Sequence, residues 1–408
     1  MSATPAATGW PSPSRTPLRS ARSRSSPTRR GPCGPARTRS RFRTPRREVP
    51  AVPIPAQRDV EQSRKSLATW FAGVLSADGD VELSEFRGPG ATGFSNETLI
   101  VDATWTSAGE QSTHTFVVRV APTGYALFPD AAFDVQHRVL TALGRDGTIP
   151  VPTVRWYETD PSVMGAPFFV MDEVVGQVPP DNPPYHVSGW LHDVEPAVRE
   201  RIWWGAIDTM ADLHRLDWRA LGLGFLDVPD AGLEQQLAYY EAFLAQVEQT
   251  EPVPVARRAL AWLKDNRPTS REPLVLCWGD ARVGNVMYDG DGNRLAVLDW
   301  EMVTLGSPSQ DVAWAWFLDR HHSEGCDVPR LEGFPSKEQT VEHYQSRSGI
   351  RLQELDYYEV FAGFRFCVIM ARLATIFKDW ELLPMTDGMA QENTVTRLTE
   401  KVLAERGA

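Results

Sequence analysis

The segment 274–305 constrains this chain most, because it brings three polar residues around one short hairpin. An apolar, strand-like run ends at Trp278, and a loop carrying Asp280 and Asn285 follows it. Asp-Gly dipeptides at 289–292 are strong hairpin-turn signals between two further strand-like runs. The hairpin returns the chain, so we expect Asp299 to lie beside the loop.

This combination of residue types suits phosphoryl transfer. The reaction requires positioned reactants and divalent metal that neutralises phosphate charge, and Mg²⁺ takes oxygen ligands while keeping several waters. Asn285 and Asp299 are the candidate metal ligands, and Asp280 is the candidate base for an attacking hydroxyl. Arg282 is a candidate to meet the charge of the migrating phosphate.

Two other interpretations use the same segment. Asp289, Asp291 and Asn293 alternate as in a calcium loop, but Arg294 replaces the glycine of its sixth position and Trp300 the glutamate of its twelfth. Alternatively, the aspartates are turn and strand-end residues without chemistry. The number of coincident positions favours the phosphoryl-transfer interpretation over both.

The pattern G-D-x-x-x-x-N, followed by D-W-E and by G-S-P-x-x-D, resembles the aminoglycoside phosphotransferase family of small-molecule kinases. The resemblance covers about residues 81–378 and is strongest to the subgroup that includes kinase-like domains fused to acyl-CoA dehydrogenases. It implies ATP and Mg²⁺ as cofactors and a small-molecule hydroxyl as acceptor. It also implies that Asp280 is the catalytic base, that Asn285 and Asp299 bind the metal, and that Asp311 braces the loop.

One position departs from the family pattern. Trp278 stands where the family usually has a histidine that supports the loop. This departure motivates an alternative function, a nucleotide-binding pseudokinase with little turnover.

Gly88, Gly90 and Gly93 spell G-x-G-x-x-G. A dinucleotide site would need a helix to begin there, whereas the residues that follow are typical of a strand. The pattern therefore favours a loop that covers ATP phosphates, with Gly90, Gly93, Ser95 and Asn96 as candidate contacts. A dinucleotide-dependent oxidoreductase remains as a second alternative.

Arg119 occupies the place of the kinase lysine that clamps the α- and β-phosphates, and its planar guanidinium suits phosphate oxygens. The helix residue that would pair with it aligns with Gln136 instead of glutamate. Glu97 and Asp134 are alternative partners. An exposed strand-end arginine without a ligand is the structural alternative.

The run 165–176 predicts a buried strand followed by a turn. In the resembling family this is the hinge, which makes the backbone of Asp172 and Val174 a candidate adenine contact. The preceding helix is predicted over 130–143, ending at Gly144. A plain core strand is the alternative to the hinge.

These elements predict an α+β, two-lobed protein-kinase-like fold with a small β-rich N-lobe over 56–175 and a larger, mainly helical C-lobe over 176–408. Residues 1–55 are rich in Arg, Pro and Ser and predict a disordered tail. A basic binding segment, a targeting segment and a mis-assigned start near Val52 are the alternatives for this tail, and the abrupt shift in composition favours the mis-assigned start.

Charge and cysteine content limit the partners. Residues 1–50 carry about +11, so the net charge of −11 leaves about −22 on the rest by subtraction, which argues against nucleic acid as a partner of the folded body. The four cysteines show no C-x-x-C spacing and fit a cytoplasmic protein.

Arg365 and Arg372 interrupt the most apolar late segment, so we expect no membrane span. The oligomeric state is not predicted.

The helix after Asp311 is expected to border the acceptor with Trp314, Trp316 and Phe317, which favours a hydrophobic hydroxylated acceptor such as an acyl-CoA-like or macrolide-like molecule. Three histidines that lack metal-ligand spacing are expected on the solvated surface: His321, His322 and His343.

Overall fold

A computed structural model describes residues 59–88, 96–130, 133–269 and 272–408. The predicted tail 1–55 and three of the predicted phosphate-loop residues, Gly90, Gly93 and Ser95, lie outside these ranges.

The first part of the described chain, residues 59–172, is a small lobe built on one antiparallel sheet. It begins with α1 (Val60–Val74), whose N-cap Asp59 accepts a hydrogen bond from the backbone N–H of Gln62. The sheet has the order β1-β2-β3-β5-β4. Its strands and two further helices are β1 (Glu82–Leu83), β2 (Glu97–Ser107), β3 (Glu110–Val120), α2 (Phe133–Asp146), β4 (Val154–Glu158), α3 (Pro161–Met164) and β5 (Phe168–Asp172).

The β2–β3 hairpin fixes which side chains of the sheet face α1 and which face away from it. It closes through Ala108 and Gly109, which both have positive φ (50° and 78°), as the favoured two-residue turns require. Alternate β3 residues, among them Phe116 and Val118, are buried in the cluster that contains α1. Side chains alternate between the faces of a strand, so Arg119 points to the opposite face.

Helix α2 ends three residues later than the sequence predicts. Gly144 lies inside the helix, and the helix ends before Gly147, which has φ 78° and donates its N–H to the carbonyl of Leu143 at 2.9 Å. The predicted stop at Gly144 is therefore wrong, because the left-handed residue that closes the helix is Gly147.

Residues 173–189 connect the sheet to a helical lobe, residues 190–408. Along this connection Gln177 exchanges two backbone hydrogen bonds of 2.8 Å with Tyr288. The elements of the helical lobe are α4 (Trp190–Asp193), α5 (Pro196–Leu213), α6 (Leu233–Val247), α7 (Pro254–Asp265), β6 (Val275–Cys277), β7 (Val286–Tyr288), β8 (Arg294–Val297), β9 (Thr304–Gly306), α8 (Pro308–His322), α9 (Lys337–Ser348), α10 (Leu355–Asp379) and α11 (Thr394–Glu405).

Helix α10 lies at the centre of the helical lobe. By length and composition it could cross a membrane, but 67% of its most apolar window is buried inside the fold. Its apolar side chains pack in one cluster with those of α6, α7, α8 and α11. Burial of this apolar surface is the main stabilising contribution in this lobe. The predicted α+β architecture, a strand-rich small lobe followed by a mainly helical one, is confirmed.

Candidate active site

The loop after β6 is held from behind by Asp311, in the first turn of α8. One carboxylate oxygen of Asp311 accepts the backbone N–H of Trp278 at 2.6 Å, and the other accepts that of Gly279 at 3.0 Å. His214 lies 3.1 Å from Asp311 and 2.7 Å from the hydroxyl of Tyr344. The bracing contact that the resemblance implies for Asp311 is thus present, and His214 supports it.

Gly279 permits the close approach of the two chain segments that form the site. It has φ 90°, and a Cβ atom there would lie 1.9 Å from the carbonyl oxygen of Met302. No other residue avoids that clash. The glycine before Asp280 therefore lets the loop lie against the strand-end that carries Asp299.

Asp280 is surrounded by hydrogen-bond donors. Its Oδ1 accepts the indole N–H of Trp314 at 2.7 Å, and its Oδ2 accepts the amide of Asn285 at 2.6 Å. The Nε of Arg282 donates to both oxygens at 3.2 and 3.1 Å. The carboxylate is thereby held in one orientation by groups from the loop and from α8.

Asp299 is partly exposed, but one of its carboxylate oxygens is buried. Its Oδ1 has no hydrogen-bond partner among the residues that the structure describes. Burial raises the pKa of Asp299, Arg119 opposes that rise, and Asp280 adds to it. Arg119 and Asp280 thus lie close enough to Asp299 to act on its charge.

The donor set suits Mg²⁺. The amide nitrogen of Asn285 also donates to the backbone carbonyl of Asp280 at 3.0 Å, which leaves its carbonyl oxygen as the atom available to a cation. Together with the unpartnered Oδ1 of Asp299, this offers one amide and one carboxylate oxygen to a hard cation that retains waters. A buried carboxylate oxygen without a donor is costly unless a cation or water meets it.

A second group of potential ligands, His214, Cys277 and Asp311, has ligand atoms within 4.8 Å of one another. Both oxygens of Asp311 accept backbone N–H groups, and both ring nitrogens of His214 have partners. Burial also raises the pKa of the Cys277 thiol well above its ordinary value, which disfavours the thiolate that binds metal. This group is the brace of the loop.

The residues that the calcium interpretation would use as ligands form hydrogen bonds within the hairpin turn. Asp289 accepts the backbone N–H groups of Asp291 and Asn293 at 2.9 and 2.8 Å and the side-chain amide of Asn293 at 2.8 Å. These hydrogen bonds lower the pKa of Asp289. Its carboxylate closes the turn, which argues against the calcium interpretation.

Arg119 and Gln136 meet as the sequence predicts. The guanidinium of Arg119 donates to the side-chain carbonyl of Gln136 at 3.4 Å. Of the two alternative partners, Asp134 lies 3.9 Å from Arg138 on its own helix. The contact between strand and helix is therefore kept with a neutral acceptor in place of a carboxylate.

Asn96, the only predicted phosphate-loop residue in the described ranges, is buried and donates to the carboxylate of Glu301 at 3.3 Å. Glu301 belongs to the D-W-E segment that begins with Asp299. The residues after the glycine pattern form β2 and not a helix, so the helix that a dinucleotide site requires is missing from residues 97–107.

Arg282 is clamped between two carboxylates. Its Nη1 donates to Asp181 at 2.6 Å, while its Nε bonds Asp280. Burial acts to lower the pKa of Arg282, but Asp181 and Asp280 outweigh it and the pKa lies above its ordinary value. Gly284 makes room for this conformation, because a Cβ atom there would lie 2.3 Å from Nη1 of Arg282.

At the predicted hinge, two backbone N–H groups are already used. Those of Asp172 and Glu173 donate to the carbonyls of Thr153 and Thr115 at 3.0 and 3.3 Å. The carboxylate of Asp172 pairs with Arg155 at 2.7 Å and is therefore on the outer side of the sheet. In the described part of the chain, the N–H of Val174 has no such partner and is the donor that an adenine could use.

The expectations for α8 are corrected. Trp314 bonds the carboxylate of Asp280 but is only 2% exposed, and Phe317 is fully buried in the core. Trp316 packs 4.9 Å from the guanidinium of Arg330 on another face. Trp314 and Phe317, three positions apart, share the face of α8 that packs into one core cluster. Trp316, two positions from Trp314, points to another side.

The prediction that three histidines lie on the solvated surface is also wrong in part. His322 is only 3% exposed and lies 3.6 Å from Asp181. His321 is half-buried, and burial lowers its pKa to about 4. Both end a packed helix, and not the polar loop that the sequence suggested. His343 is partly exposed, 2.7 Å from Asp208.

Sequence reasoning missed Asp181 and Arg365 as neighbours of the catalytic loop. Asp181 lies in the connection between the lobes and carries no motif. Arg365 donates to the carbonyl of Gly279 at 3.1 Å from inside α10. In the sequence, the only indication of a role for Arg365 was its position as a charged residue in the middle of an apolar helix.

A sheet-bearing lobe, a helical lobe, and a loop that gathers two aspartates and an asparagine together define a phosphotransferase with a protein-kinase-like fold. The family model described as "Phosphotransferase enzyme family" (APH) matches residues 90–342, and the chain belongs to this family.

The regions that match this chain are parts of longer proteins. "Probable acyl-CoA dehydrogenase IBR3" of Arabidopsis thaliana is 27% identical over 333 residues, which are 77% of this chain and 39% of that protein. "Acyl-CoA dehydrogenase family member 11" of Gallus gallus is 34% identical over 202 residues, 49% of this chain and 25% of that protein. The chain thus spans at most about two fifths of these relatives.

A solved structure confirms the fold. A protein of Ralstonia eutropha, described as an aminoglycoside phosphotransferase, superposes with a TM-score of 0.61 at 24% identity, covering 83% of this chain and 98% of that one. At this identity the similarity supports the fold alone.

Proposed function

We propose that this protein transfers the γ-phosphoryl group of ATP to a hydroxyl group of a small molecule, with Mg²⁺ as cofactor. The observation that carries the proposal is the convergence of Asp280, Asn285 and Asp299, with Oδ1 of Asp299 buried and unpartnered among the described residues. A site of this composition suits a nucleotide-bound divalent cation and an adjacent base.

Asp280 is the proposed base. It accepts the proton of the acceptor hydroxyl as the new O–P bond forms and the bond to the departing ADP oxygen breaks. The donors around Asp280 orient its carboxylate, so that little reorganisation is needed when the acceptor arrives. Mg²⁺, when bound, neutralises phosphate charge; Asn285 and Asp299 would hold it.

Two arginines complement the phosphate charge in this proposal. Arg119 lies near Asp299 and is steadied by Gln136, so its guanidinium faces the metal site. Arg282 lies beside the base, on the side where the phosphate would move. Planar guanidinium groups bind phosphate oxygens through paired N–H donors.

The nucleotide is proposed to lie between the lobes. The backbone at Asp172 and the N–H of Val174, for which the described residues supply no backbone acceptor, would contact the adenine edge. The loop containing Gly90, Gly93 and Ser95 would cover the phosphates, with Asn96 anchoring its end on Glu301. These assignments follow from the resemblance and from the geometry of the neighbouring described residues.

The acceptor is proposed to be a small molecule whose hydroxyl group approaches Asp280. Relatives named as acyl-CoA dehydrogenases make acyl-CoA-like molecules natural members of an acceptor panel. Aminoglycosides and macrolides complete the panel on the grounds of the family. We also propose a cytoplasmic location, where ATP is available.

A screen can test this function. The full-length protein would be incubated with ATP, Mg²⁺ and each acceptor, and phosphorylated products followed by ³¹P NMR. We expect one acceptor class to yield a phosphate ester, and Asp280→Asn to abolish it. Tight Mg²⁺-dependent ATP binding without turnover across the panel would support the pseudokinase alternative. NAD binding without ATP binding would support the oxidoreductase.

A further inference from the structure

Arg365 is a buried cation that forms no ion pair with an acid among the residues that the structure describes. The residue is 1% exposed, and its Nη2 donates to the carbonyl of Gly279 at 3.1 Å. Its Nε and Nη1 have no hydrogen-bond partner within the described ranges. By contrast, the buried Arg320 pairs at 2.9 Å or closer with three glutamates, Glu324, Glu359 and Glu405.

An arginine keeps its charge in any protein environment, so this burial needs a reason. The guanidinium carbon of Arg365 lies 4.6 Å from the ring centroid of Trp314, 5.1 Å from that of Tyr240 and 5.6 Å from that of Phe361. Aromatic faces attract cations, and they partly replace the missing carboxylate. Because Arg365 is fully buried, it acts on its neighbours and not on a ligand.

Two of those neighbours lead directly to Asp280. Gly279 precedes Asp280, so the carbonyl that Arg365 holds belongs to the peptide group from which Asp280 begins. Trp314 donates its indole N–H to Oδ1 of Asp280 at 2.7 Å. Arg365 therefore contacts both the backbone and the side-chain support of the same carboxylate.

We propose that Arg365 is a positioning residue for Asp280, an inference that rests on the proposed function of Asp280 as base. The cation above the indole draws electron density from the ring and makes its N–H a stronger donor to the carboxylate. The hydrogen bond to Gly279 fixes the peptide before it. Together these contacts select the orientation in which Asp280 receives the acceptor hydroxyl.

The indole N–H of Trp314 gives a direct readout that needs no turnover. In ¹⁵N-labelled protein its resonance would be identified among the 14 tryptophans by its loss in Trp314→Phe. We expect Arg365→Met to shift this resonance clearly and Arg365→Lys, which keeps the charge, to shift it less. Arg372→Met is the matched control, because Arg372 lies two turns further along α10 and donates to the carbonyl of Ala126 at 2.9 Å.

Kinetics supply the second readout, with the acceptor found in the screen. We expect Arg365→Met to lower kcat at least tenfold and to change KM for ATP less than twofold, with partial recovery in Arg365→Lys. Trp314→Phe and Arg365→Met should not be additive, because both act on the same hydrogen bond. A general loss of stability would instead reduce the amount of folded protein without producing this coupling.

The outcomes separate the two proposals. An unchanged Trp314 resonance in folded Arg365→Met and Arg365→Lys overturns the positioning role. If Arg365→Met does not fold, the comparison of Arg365→Lys with wild type and with Arg372→Met still decides it. Full turnover in Asp280→Ala would refute the proposed function, whereas normal kcat in Arg365→Met beside an inactive Asp280→Ala would refute only the inference about Arg365.

Discussion

The indole N–H of Trp278 donates to the backbone carbonyl of Asp299 at 3.1 Å, and to that of Leu298 at 2.9 Å. Asp299 has φ 55°, a left-handed conformation that is unfavourable for a residue with a side chain. The backbone at the proposed metal ligand thus needs support, and Trp278 supplies it. The residue that departs from the family pattern keeps a bracing contact, which weakens the case for a pseudokinase.

We predict that Trp278→Phe destabilises the protein and weakens metal binding. The substitution keeps an aromatic ring but removes the donor to two buried carbonyls, at a cost of about 1–3 kcal/mol. Chemical unfolding would measure the stability, and calorimetry the Mg²⁺-dependent affinity for ATP. Trp300→Phe is a suitable control, since Trp300 is also fully buried and, within the described part of the chain, its indole N–H bonds the carbonyl of Val297 alone. Equal ATP affinity in both variants would contradict the bracing role.

Asp280→Ala is predicted to lower turnover by about 10²–10⁴-fold, the range that a general base contributes. ATP affinity should change little, because Asp280 faces the acceptor in this proposal. Steady-state kinetics and nucleotide titration would measure the two effects. Asp289→Ala serves as control, because Asp289 closes the exposed hairpin turn and has no proposed chemical role. Comparable turnover in the two variants would refute the assignment of the base.

Asp299→Asn is predicted to separate stability from function. Burial raises the pKa of Asp299, so the folded protein holds this proton more tightly than the unfolded chain does. The stabilisation of the folded state by protonated Asp299 is therefore greatest below the unfolded pKa of about 3.9. It is lost as pH rises through the pKa of Asp299 in the folded protein. At neutral pH without metal, the uncharged asparagine should therefore raise the melting temperature.

With Mg²⁺ and ATP present, the wild type should have the higher melting temperature and Asp299→Asn the lower, because ligand binding stabilises only the protein that binds it. The wild type should gain stability on addition of both, and Asp299→Asn should gain far less. Thermal melts with EDTA and with Mg²⁺-ATP, repeated between pH 5 and 8, would measure both effects. Equal gains in the two proteins would exclude Asp299 as a metal ligand.

The hydrogen bonds of the catalytic loop explain why its sequence was so informative. Asp280 and Asn285 lie in one loop and bond each other, as their spacing predicted. The bracing contact of Asp311 and the pairing of Arg119 with Gln136 were implied by the family resemblance, and both are present. Local turn chemistry and strand patterns carry this information.

The contacts that sequence reasoning missed are long-range. Asp181 and Arg282 are separated by 101 positions, and Arg365 and Gly279 by 86. Nothing in the local pattern of either segment specifies its partner, because tertiary packing decides which helix face meets the loop. The same holds for His322, whose burial depends on the connection between the lobes and not on its own helix.

The neutral pair of Arg119 and Gln136 gives a last prediction. Gln136 is 5% exposed and holds the guanidinium by one long hydrogen bond of 3.4 Å. Loss of a weak hydrogen bond to a charged group costs about 1.4 kcal/mol, which corresponds to about tenfold in affinity. Gln136→Leu should therefore raise the Kd for ATP about tenfold and leave kcat nearly unchanged, because Arg119 would still be present but unsteadied.

Gln136→Glu tests the same contact from the other side. A carboxylate would bond Arg119 more strongly than the amide does, so its orientation should be retained and the Kd for ATP should stay within about threefold of wild type. Calorimetric titration of the two variants with Mg²⁺-ATP would compare them. If Gln136→Leu binds ATP as tightly as Gln136→Glu, then Arg119 needs no support from α2, and the strand-to-helix pair has no part in nucleotide binding.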